Sequence, residues 1–257
     1  MELANYNVLG RILYFTPQYS PIHPGRVITT FAAISGIVEA LNGNGASLSA
    51  NPSLPRWKQD IGRALLKASL LIQVFVVLAF VALALVFHRR VHRAGLRNAR
   101  ITNALATLYV STAVLLVRTL YRVVEYFSVA DLHYDTTGGA RFDPNTLSPL
   151  IRYEWFFYVF EASLMLVNMV LMNVRHPRRY LPQSTKVYLA DDGVTEIVGP
   201  GYKEDRNFFV TVLDPFDLYG LIKGKDAGTR FWETQGPPKT GEVAKGRGEA
   251  APRDPEA

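Results

Sequence analysis

The stretch LLKASLLIQVFVVLAFVALALVF, residues Leu65–Phe87, decides the fold. Only Lys67 and Gln73 interrupt its apolar run. A bilayer core requires about 20 mostly apolar residues in a helix, and a run of this length exceeds a strand. A soluble all-helical core is the alternative, but a helix on the surface of such a core would carry a polar stripe at helical period, which is absent here. The stretch therefore predicts a transmembrane helix.

Three further apolar blocks flank this one. Ile101–Val124 is bounded by charged residues, and Trp155–Val174 ends before a basic segment. The block Val27–Leu41 is the weakest, because it is short and carries Glu39. Lipid offers no water to an exposed backbone, so each spanning segment must be helical. The sequence predicts an all-α integral membrane protein with about four transmembrane helices, at about 25–43, 63–87, 101–124 and 154–174.

The charges lie between the apolar blocks and in the tail, and they predict an orientation. The net charge is +6, and five arginines lie in the connection 88–100. More basic residues follow the last block, whereas the connections 43–61 and 126–149 hold few. Positive charge marks the cytosolic side, so both termini are predicted to be cytosolic. Basic residues beside apolar blocks favour anionic lipid headgroups as partners over nucleic acid.

Composition and motifs exclude several functions. The chain has no cysteine, so disulfides, zinc thiolate sites and thiol catalysis are excluded. No nucleophile elbow, phosphate loop or metalloprotease signature is present. His88 and His92 lie four residues apart, but the arginines around them oppose a metal cation. The sequence predicts neither an enzyme nor a cofactor or metal site, and residues 1–10 show no cleavable signal peptide.

The segments outside the blocks are predicted to be mostly irregular. Residues 1–24, with three prolines near their end, form a loop-like cytosolic lead-in to the transmembrane domain, 25–175. Asn42–Pro55 is rich in turn-forming residues and is predicted to be an outer loop. The tail 176–235 contains Asp191-Asp192-Gly193 between β-branched and aromatic runs, which predicts a hairpin near 186–198 that leans on the membrane or another protein. Residues 236–257 lack core-forming side chains and are predicted to be disordered.

Polar residues inside the predicted spans are the candidate site, because a charge in the bilayer centre costs about 2.5–3.5 kcal/mol unless it finds a partner or a cavity. Two helix faces carry them at helical spacing. The predicted cluster, near the outer end of both helices, comprises Arg118, Tyr121, Arg122, Glu125, Glu154, Tyr158 and Glu161. Arg122 is predicted to pair with Glu125 and with Glu161. The alternative is that the outer charges snorkel to the interface, which explains Glu161 least well because it lies deepest.

A ridge of small residues on the first block, Ala32, Gly36 and Ala40, is typical of close helix packing. Its predicted role is structural.

The motifs that contain these polar residues, together with three shorter motifs elsewhere in the chain, resemble those of the fungal RTA-like family of lipid-translocating exporters. They are Arg118-x-x-Tyr121-Arg122-Val123-Val124-Glu125, Glu154-Trp155-x-x-Tyr158-Val159-Phe160-Glu161, His176-Pro177, Gly10-Arg11-Ile12 and the turn at 43–46. The family includes sphingoid long-chain-base resistance and aminocholesterol resistance proteins. Together the matches cover roughly residues 9 to 180.

The resemblance implies a seven-span protein of the fungal plasma membrane or internal membranes. It implies resistance to toxic amphiphiles through movement of sphingoid bases or phospholipids. Three further spans would precede the first block, with Gly10-Arg11 at the end of the third of these spans. The expectation is therefore a shortened exporter. A receptor-like stress-response protein without transport activity and an inactive fragment are the alternatives.

Overall fold

The computed structural model describes residues 2–21, 24–96, 98–130, 152–182, 184–190 and 193–198. Within them the chain is a bundle of helices with one small sheet. The predicted all-α membrane architecture is therefore confirmed. The predicted disorder of 236–257 lies outside the described residues.

The first helix, α1, spans Glu2–Phe15, and most of its residues are buried. The prediction of a loop-like lead-in is wrong for this segment. The three prolines that suggested a loop all follow Phe15, where they begin a 3₁₀ turn at Pro17 and the next helix at Pro24. Tyr6 of α1 joins a ring cluster with Phe31 and Phe80, with centroids 5.1–5.5 Å apart. The helix is therefore the centre of the core rather than a leader to it.

Helices α2 (Pro24–Ala50) and α3 (Arg56–Arg93) form an antiparallel pair joined by a short turn. The predicted irregular loop from residue 42 is wrong, since α2 stays helical to Ala50, two residues before Pro52. Gly45 and Gly62 bring the two backbones together: an added Cβ on Gly45 would lie 2.9 Å from the Gly62 carbonyl oxygen. The α2 and α3 backbones therefore approach each other at Gly45 and Gly62. The predicted small-residue ridge does not make such a contact at Gly36, because nothing lies within 4 Å of a Cβ added there.

A capped turn links α3 to α4 (Ala99–Ala130). Gly95 has a φ of 72° and ends α3 in the left-handed conformation that favours glycine. The side chain of Asn98 then accepts a hydrogen bond from the Arg100 backbone N–H at 2.9 Å, which caps α4. These local signals fix where one helix stops and the next begins.

The last helix, α5, spans Trp155–Val174 and contains a π-helical turn at Tyr158–Ser163. The helices α3, α4 and α5 are long and apolar enough to cross a membrane, which matches three of the four predicted spans. Helix α2 has the length, but Glu39, Asn42 and Asn44 lower its hydropathy and it is not among them.

The tail returns to the bundle as two short antiparallel strands, β1 (Val187–Leu189) and β2 (Glu196–Val198), paired Val187 to Val198. The strands pack on the helices of the chain itself. Gln18 donates to the Leu189 carbonyl oxygen at 2.9 Å, and Asn98 donates to that of Gly193 at 3.0 Å. Leu189 is buried in the main core. The tail therefore fastens the end of α1 to the α3–α4 turn.

Candidate functional site

A partly buried ion pair joins α4 to α5. Arg118 Nη2 lies 2.5 Å from Glu161 Oε1, and each side chain is 18% exposed. The sequence places both residues inside apolar runs, where either charge alone would be costly. Pairing removes most of that cost, because each ion replaces the other's lost solvent.

The pair is not fully satisfied. Arg118 Nε and Glu161 Oε2 are both buried and have no hydrogen-bond partner. Leaving a buried donor or acceptor unpaired costs about 1–3 kcal/mol, and more for a charged group. One N–H and one carboxylate oxygen of the pair are therefore unsatisfied, and both atoms are buried in this conformation.

Tyr121 and Glu125 lie next to this pair on α4. The Tyr121 hydroxyl donates to Glu125 Oε1 at 3.5 Å, and its ring is 7% exposed. The predicted pairing of Arg122 with Glu161 is wrong, since Arg118, one helical turn earlier, makes that contact. Arg122 is half-buried and makes no ion pair within 4 Å with any residue in the described ranges. The structure thus brings together Arg118, Tyr121, Glu125 and Glu161.

Glu154 and Tyr158 do not join the cluster. Glu154 precedes α5 and is exposed, and Tyr158 is 60% exposed. The prediction that they share one helix face with Glu161 depended on the spacing of a regular α-helix. The π turn at Tyr158–Ser163 winds more residues per turn, so it rotates Glu161 away from the face that Glu154 and Tyr158 occupy.

Aromatic rings flank the ion pair toward the N-terminal end of α5. The Tyr121 and Phe160 rings stack at 5.3 Å with 15° between their planes. Phe156 continues the series at 6.3 Å from Phe160, and Trp155 stacks on Phe156 at 3.8 Å. Aromatic faces attract cations and also pack against hydrocarbon. The cluster therefore borders a surface suited to a molecule with a charged head and an apolar tail.

A second polar junction lies deeper, where sequence reasoning did not place a site. Ser111 Oγ lies 2.8 Å from Asn5 Oδ1 and 2.7 Å from Asn168 Oδ1, and Asn5 Nδ2 donates to Thr112 Oγ1 at 3.3 Å. The residues come from α1, α4 and α5, and Asn168 is fully buried. Asn168 keeps the helical spacing of Glu154 and Glu161, a signal that could have pointed to it, but Asn5 carries no such signal because its helix was not predicted. The network locks α5 to the core below the ion pair.

The fold and these sites define a class: a multi-span helical membrane protein with a partly buried, partly unsatisfied ion pair between two spans. The family model "RTA1 like protein" matches residues 1–184. The chain belongs to the RTA1-like family of lipid-translocating exporter proteins, which confirms the resemblance.

Two relatives carry the same printed name, "Lipid-translocating exporter-like protein RTA1". The protein of Leptosphaeria maculans is 40% identical over 229 residues, which cover 88% of this chain and 43% of the relative. The protein of Ajellomyces capsulatus is 30% identical over 234 residues, which cover 85% of this chain and 67% of the relative. The chain thus spans less than half of the first relative. No solved structure matches the chain.

Proposed function

We propose that the Arg118–Glu161 pair binds the polar head of an amphiphile and that the chain moves or confers resistance to such molecules. Sphingoid bases fit the site best, and phospholipids are the second class. The observation that carries the proposal is that this ion pair leaves two polar atoms without a partner, Glu161 Oε2 and Arg118 Nε. The names of the two relatives support lipid as the cargo.

The chemistry of the two free atoms supports a particular headgroup. Glu161 Oε2 would accept hydrogen bonds from a protonated amine, and Arg118 Nε would donate to a hydroxyl or phosphate oxygen next to it. A sphingoid base carries an ammonium and hydroxyl groups on neighbouring carbons. Its ammonium would also face the stacked rings of Tyr121 and Phe160.

The exposure of α5 supports entry from the side. Phe157, Val159, Leu166 and Val170 of this helix are all about half exposed. A tail could lie along this apolar surface while the head reaches the ion pair. The proposed action is non-enzymatic, since no bond is made or broken. With no nucleotide-binding motif in the sequence, the energy would come from a gradient or from the lipid's own imbalance.

The test compares Glu161→Gln with Glu154→Gln, a matched change at an exposed acid outside the cluster. Cells that depend on this protein for tolerance would be challenged with a sphingoid base, and release of labelled base would be measured. We expect Glu161→Gln to lose most of the tolerance and release, and Glu154→Gln to keep both. Equal behaviour of the two variants would refute the site.

Movement by this chain alone is tested in proteoliposomes. Labelled sphingoid base should cross the bilayer faster with the wild-type chain than with Glu161→Gln. If cells lose tolerance but no lipid moves in vesicles, a stress-response role without transport replaces the exporter role.

We also propose that both termini face the cytosol of a fungal cell; tags on the two ends that label from opposite sides would overturn this orientation.

A further inference from the structure

The end of α3 farthest from the ion pair carries a cavity that the proposed function does not use. Its volume is about 440 Å³, and it is lined by Leu85, His88, Arg89, His92 and Arg93. We propose that this cavity binds the headgroup of an anionic phospholipid that carries a terminal phosphate. The proposal is independent of the Arg118–Glu161 site, which lies between α4 and α5.

The cationic groups of the cavity are not occupied elsewhere. Arg89 and Arg93 make no ion pair with any residue that the structure describes, whereas Arg100 pairs with Glu196 at 2.6 Å. They are not needed as helix caps either. The last carbonyl groups of α3 already accept backbone N–H groups: Ala94 bonds the Arg90 oxygen at 3.0 Å and Gly95 bonds that of His92 at 3.0 Å.

His88 is held in one orientation by α4. Its Nδ1 lies 3.1 Å from the Tyr109 hydroxyl, and the Tyr109 hydroxyl lies 3.2 Å from the Ala84 carbonyl oxygen. A carbonyl oxygen only accepts, so the tyrosine proton goes to Ala84 and His88 Nδ1 must donate to the tyrosine oxygen. This leaves Nε2 as an acceptor, which can take the remaining P–OH hydrogen of a singly ionised terminal phosphate. The ring is thus positioned in advance for binding.

The position of the cavity favours a lipid over free phosphate. Leu85, one turn before the basic residues, is 44% exposed and belongs to the apolar run of α3. The cavity therefore straddles the change from apolar to basic surface, where lipid phosphates lie. Two arginines suit a phosphate, because the guanidinium fork matches its oxygens. By the distribution of charge, this end of α3 faces the cytosolic leaflet, the leaflet rich in anionic lipid.

The experiment uses the purified full chain in detergent with equal amounts of phosphatidic acid and phosphatidylcholine, and native mass spectrometry counts the bound lipid. We expect preferential retention of phosphatidic acid, and roughly thirtyfold weaker retention in Arg89→Gln/Arg93→Gln, because each of the two basic residues near a charged lipid contributes about 1 kcal/mol. Lys58→Gln/Arg63→Gln is the matched control, removing the same charge at the other end of α3, where Arg63 pairs with an exposed Asp60 at 3.6 Å.

Three results would overturn the proposal: equal retention of the two lipids, equal loss in the test and control variants, or displacement of the lipid by excess inorganic phosphate, which would make this a free-phosphate site. Arg89→Lys/Arg93→Lys guards against misfolding as the cause. It keeps both charges and should retain phosphatidic acid. Tyr109→Phe removes the acceptor for His88 Nδ1 and should weaken retention without changing net charge.

Discussion

The helices α1 to α4 and the helix α5 are held in place in different ways. The first four share one apolar core in which Leu9, Ile12 and Leu13 are completely buried. In α5, which is described throughout, Asn168 is the one buried residue. Lipid gives apolar helices little hydrophobic reason to associate, so α5, which buries so little of itself, depends more on its polar contacts with α4. The charged and incompletely satisfied Arg118–Glu161 contact is therefore made by the helix that packing fixes least.

The largest expected effect comes from removing one charge of the ion pair. Glu161→Leu leaves Arg118 buried without a partner, which should lower the free energy of unfolding by about 3–5 kcal/mol. Denaturant unfolding of the detergent-solubilised chain measures it. Arg118→Leu/Glu161→Leu should return near to wild-type stability and still bind no amphiphile. If the double variant is as unstable as the single one, polar pairing is not what holds α5.

A smaller effect is expected inside the packed region. Gly62→Ala would place a Cβ 2.6 Å from the Ser49 backbone nitrogen, so α2 and α3 must separate. Such overpacking costs about 1–3 kcal/mol. Gly36→Ala is the control, since nothing lies within 4 Å of its added Cβ, and it should be neutral or slightly stabilising. Thermal unfolding of both variants decides whether Gly62 is a true point of backbone contact.

The buried amide of α5 should matter less than the ion pair. Asn168→Ala removes the contact to Ser111, and hydrogen bonds between membrane helices contribute about 0.6–1.7 kcal/mol. Asn173→Ala changes an exposed amide that bonds within its own helix, to Met169, and is the matched control. A loss of the same size in both would mean that the network with Asn5 does not fasten α5. Thermal unfolding again provides the measurement.

The smallest effect is expected at the tail. Arg100 and Glu196 pair at 2.6 Å with side chains 52% and 33% exposed, and such pairs contribute about 0.2–1 kcal/mol. Arg100→Gln should therefore scarcely change unfolding, but it should increase protease cleavage near β2. The effect should also fade at high salt, because ions screen exposed charges. An unchanged cleavage rate would show that Asn98 and Gln18 hold the strands without it.

The long apolar runs and the pattern of charge were sufficient to predict α3, α4 and α5, because the bilayer imposes length and composition on a span. Helix α1 was missed since its evidence is tertiary: Tyr6 and Leu9 are buried by α2, α3 and α4 rather than by a long run of their own. Glycines at 43 and 45 suggested a loop, yet Gly45 lies within a helix and allows the α2 backbone to contact α3 at Gly62. Turn residues and packing glycines look the same in one sequence.

At the candidate site, helical spacing predicted the α4 residues that the structure brings together, but it predicted the wrong partner for Glu161. Helical spacing brought Arg118, Tyr121 and Glu125 onto one face, which the structure reproduces in α4. Helical spacing could not decide whether Arg118 or Arg122 pairs with Glu161. These arginines lie one helical turn apart on the same face, so a shift of α5 along α4 by one turn would exchange them. Helical spacing also could not foresee the π turn in α5, which breaks the period on which the spacing argument depends.

That π turn has a mechanical consequence. A segment of this kind holds about one residue more than an α-helix of the same height. Moving the surplus residue toward either end of α5 would turn the stretch in between by about 100°, the angle of one α-helical residue, with little displacement across the bilayer. Glu161 lies within the turn. A small rewinding of the backbone is therefore enough to swing its carboxylate out of reach of Arg118 and toward the surrounding lipid.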